Sequence, residues 1–253
     1  MSDPTPTRSR TAMLRARTLR VGAAAAAIIV LAAACGDSAE PAVTDTGPAV
    51  VEIATPDGET LAATISAVPG AKVTVVLAHM RGADRSTWDP IIGPLNEAGN
   101  TTLAFDFRGY GDSTGERDTR LDTDLAAAVS QPRSDGASRI VIVGASMGGT
   151  AVLEGGARLD VDGVVAISAP SEFLGLDGGA GAALLNVPTL LVDSDGDHPY
   201  VDQLSAIEAT TGASIVTYDG SAHGTAIFAT HGPELTTLIT DFVDRVASIK
   251  RGY

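Results

Sequence analysis

From Lys72 onward the chain falls into short, almost uninterrupted apolar runs: Val73 to Ala78, Thr102 to Phe107, Arg139 to Val143, Gly163 to Ser168, Thr189 to Val192 and Ser214 to Tyr218. Runs of this length without polar alternation predict strands buried on both faces. The stretches between them predict helices near Thr87 to Ala98, Leu121 to Val129, Met147 to Ala157, Val201 to Thr211 and Glu234 to Ile249. Strand and helix in alternation imply an α/β architecture, a mostly parallel sheet with helices on both faces. Ahead of it, Val50 to Ala54 and Thr60 to Ala67 alternate around the turn Thr55-Pro-Asp-Gly-Glu59, which predicts an antiparallel hairpin leading the sheet. Between the runs ending at Ser168 and beginning at Thr189 lie only about 20 residues, many of them Gly and Ala. That leaves no room for a large lid, so any site on this sheet is expected to be open and shallow.

The first 49 residues read differently. Arg8, Arg10, Arg15, Arg17 and Arg20 precede the apolar run Val21 to Ala34, the order of a bacterial export signal. That run is about 14 residues, shorter than the roughly 20 that a membrane-spanning helix needs. It ends in Leu31-Ala-Ala-Ala-Cys35-Gly-Asp37, which resembles a bacterial lipobox, although Leu31 stands four residues before the cysteine rather than three. The resemblance implies a lipoprotein signal peptide over residues 1–34, an acylated Cys35 and export to the cell membrane or beyond. Residues 35–49 are small, polar and punctuated by proline, as in a flexible tether, and residues 50–253 form one domain. Cys35 is the sole cysteine, so no intramolecular disulfide is available and the fold rests on its packed core.

Charge narrows the partners. The chain carries 17 Lys and Arg against 31 Asp and Glu; loss of residues 1–34 removes five Arg and one Asp, leaving a net −18. Such a surface repels nucleic acid and anionic head groups, so membrane attachment is expected through the lipid on Cys35 alone.

The chemistry concentrates at three places. In Arg139-Ile-Val-Ile-Val-Gly-Ala-Ser-Met-Gly-Gly149 a buried strand runs directly into a helix, with Gly144 and Gly148 flanking Ser146. A serine on a tight strand-to-helix turn stands clear of the sheet as a nucleophile, and its neighbours must be glycine to avoid the adjoining backbone. Of His79, His198, His223 and His231, only His223 falls in a loop at the carboxyl edge of the sheet, between the last strand and the last helix, where it could serve as base. His231 is expected on the surface and His79 in a structural turn. An acid must orient the imidazole, and Asp193, Asp195 and Asp197 follow the penultimate strand. The string Asp-Ser-Asp-Gly-Asp begins like a calcium loop, but His198 stands where that pattern needs Gly and Leu204 where it needs Glu, so no metal site is expected. No cofactor motif appears.

His79-Met-Arg-Gly-Ala-Asp84 resembles the His-Gly-x-Gly oxyanion loop of α/β hydrolases, with Met80 in place of the first Gly. Asp106-Phe-Arg-Gly-Tyr-Gly-Asp-Ser113 resembles the Asp-x-Arg-Gly-x-Gly-x-Ser motif after the next strand of the same family, where its work is mostly structural. The resemblance, carried from Val73 to His223, implies the α/β-hydrolase fold, most similar to small lidless dienelactone-hydrolase-like or esterase-like members. It implies a Ser146–acid–His223 triad, with backbone N–H groups of Met147 and Arg81 as oxyanion donors. The family string His-Gly-x-x-Asp, laid on Val187 to Val192, puts the acid at Asp197 and leaves Asp195 as its rival; Asp193, at the strand end, is expected to cap the turn. Trp88 either walls the pocket or packs in the core. The activity implied is hydrolysis of a carboxylic ester or related acyl compound without cofactor; the competing reading is a non-catalytic cell-envelope scaffolding lipoprotein on the same fold.

Overall fold

The computed structural model describes residues 47–250. The expected export segment, Cys35 and the expected tether through residue 46 lie outside the described residues.

In chain order the elements are β1 (Ala49–Ala54), β2 (Thr60–Ser66), β3 (Thr74–Ala78), α1 (Asp89–Glu97), β4 (Thr101–Phe105), α2 (Leu121–Ser134), β5 (Ile140–Ala145) and α3 (Met147–Gly156). They continue with β6 (Gly163–Ile167), β7 (Glu172–Phe173), β8 (Leu176–Asp177), α4 (Gly178–Leu184), β9 (Thr189–Ser194), α5 (Tyr200–Thr211), β10 (Ser214–Tyr218) and α6 (Ile227–Ser248). Eight strands form one sheet in the order β1-β2-β4-β3-β5-β6-β9-β10. The β1–β2 and β2–β4 pairings are antiparallel and the rest parallel, so the hairpin leads a parallel sheet. This is the α/β-hydrolase fold.

The two-residue period of the strands sorts the core into two layers. Val76 of β3 and Ile142 of β5 face a layer with Leu125 of α2, Val152 of α3 and Leu204 of α5. Val75, Leu77, Val141 and Val143 face the opposite layer, with Ile91 and Leu95 of α1 and Ile239 and Val243 of α6. Because β3 is flanked by β4 on one side and β5 on the other, the strand order reverses there. The carboxyl ends of β3 and β5 therefore border the crevice in which open α/β sheets place their ligands.

Three stretches depart from the pattern read in the sequence. Residues 168–189 carry the two-stranded hairpin β7–β8 and the seven-residue α4, and no large lid. Helix α2 extends past Val129 to Ser134, with Pro132 buried in its last turn. Helix α6 starts at Ile227 rather than near Glu234: Gly232-Pro233 reads as a helix start, but an extra turn precedes it, separated by a break at His231 (φ −132°, ψ 35°). Among the described residues no helix is long and apolar enough to cross a membrane.

Candidate active site

Ser146 sits between β5 and α3 with φ 48° and ψ −111°, a backbone that costs a residue with a Cβ on the order of 1–3 kcal/mol. Its surroundings hold it there. The Ser146 N–H donates to the Ile167 carbonyl oxygen at 2.8 Å, and its own carbonyl accepts from Thr150 N–H at 2.9 Å. A Cβ on Gly144 would collide with the backbone of Gly148, and one on Gly148 with the carbonyl of Ala78. Glycine is therefore required on both sides so that helix, turn and β3 can approach backbone to backbone. The Ser146 side chain is left partly exposed.

His223 occupies the loop between β10 and α6. Its Nε2 lies 2.8 Å from Ser146 Oγ, and its Nδ1 lies 2.6 Å from Asp197 Oδ2. With Nδ1–H donated to the carboxylate, Nε2 presents its lone pair to the Ser146 hydroxyl. The His223 side chain is 31% exposed and that of Asp197 9%, so the relay runs from the protein interior to solvent. Tyr200, the first residue of α5, packs against the imidazole with ring centroids 4.4 Å apart.

The three carboxylates of residues 193–197 have three different partners. Asp197 is bonded to His223, whereas Asp195 Oδ1 accepts from Gly220 N–H at 3.0 Å and pins the end of β10. Asp193, expected to cap the turn at the strand end, lies within β9, fully buried, where Oδ1 accepts from Ser168 Oγ at 2.7 Å and Ser194 N–H at 2.8 Å. Among the described residues no group of three or more His, Cys, Asp or Glu side chains is disposed to hold a metal ion.

The other histidines are engaged elsewhere. His79 is buried, donates from Nδ1 to the Met80 carbonyl at 2.8 Å and accepts at Nε2 from Phe107 N–H at 3.0 Å. Burial lowers its pKa and keeps it neutral, so it works as a clamp between the loops after β3 and β4. His198 pairs with Asp202 on the surface at 2.7 Å, and His231 donates from Nε2 to the Asp219 carbonyl at 2.9 Å while stacking on Tyr218. Trp88 is fully buried, edge-on to Phe228, and belongs to the core rather than to a pocket wall.

Arg81 and Met147 follow the carboxyl ends of the adjacent parallel strands β3 and β5. Met147 is the first residue of α3, so its N–H is among those a helix leaves without an internal partner. Arg81 follows β3 in an exposed turn closed by Ala83 N–H to the Met80 carbonyl at 3.2 Å. Its guanidinium pairs with Asp118 at 2.5 Å, and Asp118 in turn accepts from Tyr110 Oη at 2.6 Å. The Arg81 bond, followed by that of Tyr110, holds the Asp118 carboxyl below the usual range. Behind the loop, buried Asp106 accepts from Arg85 N–H at 2.7 Å and Asp112 N–H at 3.0 Å and binds the Arg85 guanidinium, while Gly111 approaches so closely that a Cβ would strike its carboxylate. The Asp106–Ser113 motif is thus a brace for the loop that carries Arg81.

Ser168 and Tyr200 escaped the reading of the sequence as parts of the site, whereas Asp193 entered it as a candidate acid set aside as a turn cap. A serine ending a buried strand and a tyrosine opening a helix carry no local signal; only the sheet order brings them to His223.

Comparison with known proteins places this geometry in a family. The Escherichia coli protein YfhR, itself uncharacterized, is 30% identical over 138 residues, which are 53% of this chain and 49% of YfhR; the chain spans about half the length of that relative. An esterase of Pyrococcus furiosus superposes with a TM-score of 0.71 at 20% identity, covering 79% of this chain and 93% of its own. A dienelactone hydrolase from Anabaena variabilis gives 0.66 at 19%, covering 78% and 97%. At these identities the two structures speak for the shared fold. Residues 75–247 match the alpha/beta hydrolase family across most of the sheet and its helices, and the chain belongs to that family.

Proposed function

We propose that the chain is a serine hydrolase that cleaves a carboxylic ester or related acyl bond of a small-molecule substrate through an acyl-Ser146 intermediate. One observation carries this reading: His223 Nε2 stands 2.8 Å from Ser146 Oγ while Nδ1 is held by Asp197 at 2.6 Å. In that arrangement Ser146 Oγ attacks the acyl carbon as its proton passes to His223 Nε2, and Asp197 stabilises the imidazolium. The carbonyl oxygen becomes an oxyanion facing the backbone N–H groups of Met147 and Arg81. The bond to the leaving group then breaks, and the imidazolium returns the proton to that group. Water, deprotonated by His223, releases the acid and restores Ser146. The short crossing from β6 to β9 supports an open site without a cap. The Arg-rich start and the lipobox-like segment at Cys35 support export and anchoring by lipid.

The test is turnover of a panel of acyl esters of graded chain length. Hydrolysis by the wild type and its loss in Ser146→Ala support the reading; equal turnover by both proteins contradicts it. No turnover of any ester, together with no reaction of Ser146 with an acylating probe, leaves the scaffolding lipoprotein as the better account.

A further inference from the structure

Behind the Ser146–His223–Asp197 relay runs a second chain of hydrogen bonds that returns to its own starting point. Gly224 N–H donates to Ser168 Oγ at 2.8 Å, and Ser168 Oγ donates to Asp193 Oδ1 at 2.7 Å. An N–H can only donate, so the Ser168 hydroxyl must spend its proton on Asp193. Oδ1 also takes the N–H of Ser194, whose hydroxyl holds the Ala222 carbonyl at 2.7 Å. The loop 222–224 is thereby fastened on both sides of His223. Ser168 sustains this with a left-handed backbone, φ 48°, and is completely buried.

The remaining link joins two acceptors. Asp193 Oδ2 is buried and has no hydrogen-bond donor among the described residues. The group within its reach is the carboxylate of Asp197, which already accepts from His223 Nδ1. The elements packed around Asp193 contribute Ser168 from the end of β6, Ser194 from β9, Asp197 from the following loop and, through Asp197, His223; among the described residues no Lys or Arg side chain is paired with it. Two buried carboxylates side by side without a cation cannot both stay ionised; one takes a proton and donates it to the other.

We propose that Asp193 is a positioning residue that carries this proton, donating from Oδ2 to Asp197 and so holding the triad carboxylate on His223. The role rests on the acyl-serine reading above. It closes a ring from Gly224 through Ser168, Asp193, Asp197 and His223 in which every donor meets an acceptor. Of the two carboxylates, Asp193 is the one fully withdrawn from water. Burial above all, with the bond and charge of Asp197, pushes its carboxyl up to about 7 against the downward pull of the bonds from Ser168 and Ser194. The ring is therefore complete in mildly acidic solution and loses its proton as the pH rises past neutrality, leaving Asp197 beside a second negative charge.

Two measurements test this together. Carboxyl-carbon NMR of the protein labelled at Asp should show one aspartate titrating near pH 7, in the wild type and equally in Ser146→Ala. That resonance should be absent in Asp193→Asn and should titrate at lower pH in Asp197→Asn; no aspartate titrating above about pH 6 overturns the proposal. The second readout is the rate of Ser146 labelling by a fluorophosphonate, which needs no known substrate. Asn at 193 accepts from Ser168 and Ser194 and offers an N–H to Asp197 at every pH, so the readout is how the ratio of the wild-type to the Asp193→Asn rate changes from about pH 6 upward. By about pH 8.5 that ratio should have fallen about tenfold, the equivalent of one pK unit of coupling. A ratio that does not change with pH overturns the role of Asp193 while leaving the relay standing. Labelling of neither protein at any pH overturns the acyl-serine reading and the positioning role with it.

Discussion

The carbonyl oxygen of Ala78 occupies the space that a Cβ on Gly148 would need. The end of β3, which launches the Arg81 loop, and the first turn of α3, which presents Ser146, are thus locked at backbone contact. Gly148→Ala must push these apart. Overpacking against backbone costs about 3 kcal/mol, and the variant should unfold at lower urea and react more slowly at Ser146. A wild-type unfolding midpoint in Gly148→Ala would show that the two segments are not held as described.

Substitution of the carboxylates should separate their roles. Asp197→Asn keeps the size but favours the wrong imidazole tautomer, which in a triad on another fold cost roughly 10⁴-fold. Asp195→Asn keeps an amide oxygen that can accept from Gly220 N–H and should be nearly silent in kcat at neutral pH. His223→Ala should fall as far as loss of the nucleophile, and His231→Ala, bonded to a surface carbonyl, should change little. A large loss at Asp195 with a silent Asp197→Asn contradicts the assignment.

Much of this was legible in the chain, and the reasons are physical. The buried runs carried the sheet because strands covered on both faces admit no polar alternation, and Val75, Val76 and Leu77 are all fully buried. Ser146 and His223 stood out because each sits where a strand hands over to a helix. The residues alone narrowed the acid to three aspartates, and only the family string favoured Asp197 over its rival Asp195, because Asp193, Asp195 and Asp197 stand at alternate positions and differ only in the path the chain takes from β9 to α5. Burial of Asp193 depends on Ser168, 25 residues earlier in the chain, and no local pattern reports such a pairing. The hairpin β7–β8 and helix α4 were missed because Gly- and Ala-rich sequence has little apolar period, and α6 was begun too late because Pro233 reads as a helix start.

Stability should carry the mark of Asp193. Burial pushes its carboxyl up to about 7 in the folded protein from 3.8 for the free side chain. A carboxyl raised in this way stabilises the fold fully below its unfolded value, and the contribution is lost as the pH rises toward the folded one. Between about pH 4 and pH 7.5 the wild type should therefore lose stability relative to Asp193→Asn, by on the order of 3 kcal/mol. Urea unfolding of both proteins across this range measures it; parallel curves would show that Asp193 is ionised throughout.

The proposal of export and anchoring rests on the N-terminal sequence. The mature protein from its native host is expected to begin at Cys35 with acyl chains on that residue. Mass spectrometry of the native N-terminus should find the diacyl or triacyl form, and an unmodified N-terminus at another position would contradict it.

The most direct test of the Ser146 relay is covalent capture by a fluorophosphonate, read by peptide mass spectrometry. One phosphonate per chain on the Ser146 peptide is expected in the wild type, none in Ser146→Ala, and labelling slowed by at least about 10³-fold in His223→Ala, which lacks the base. An unlabelled wild type at high probe concentration, or a label on a different serine that persists in Ser146→Ala, would contradict Ser146 as the nucleophile.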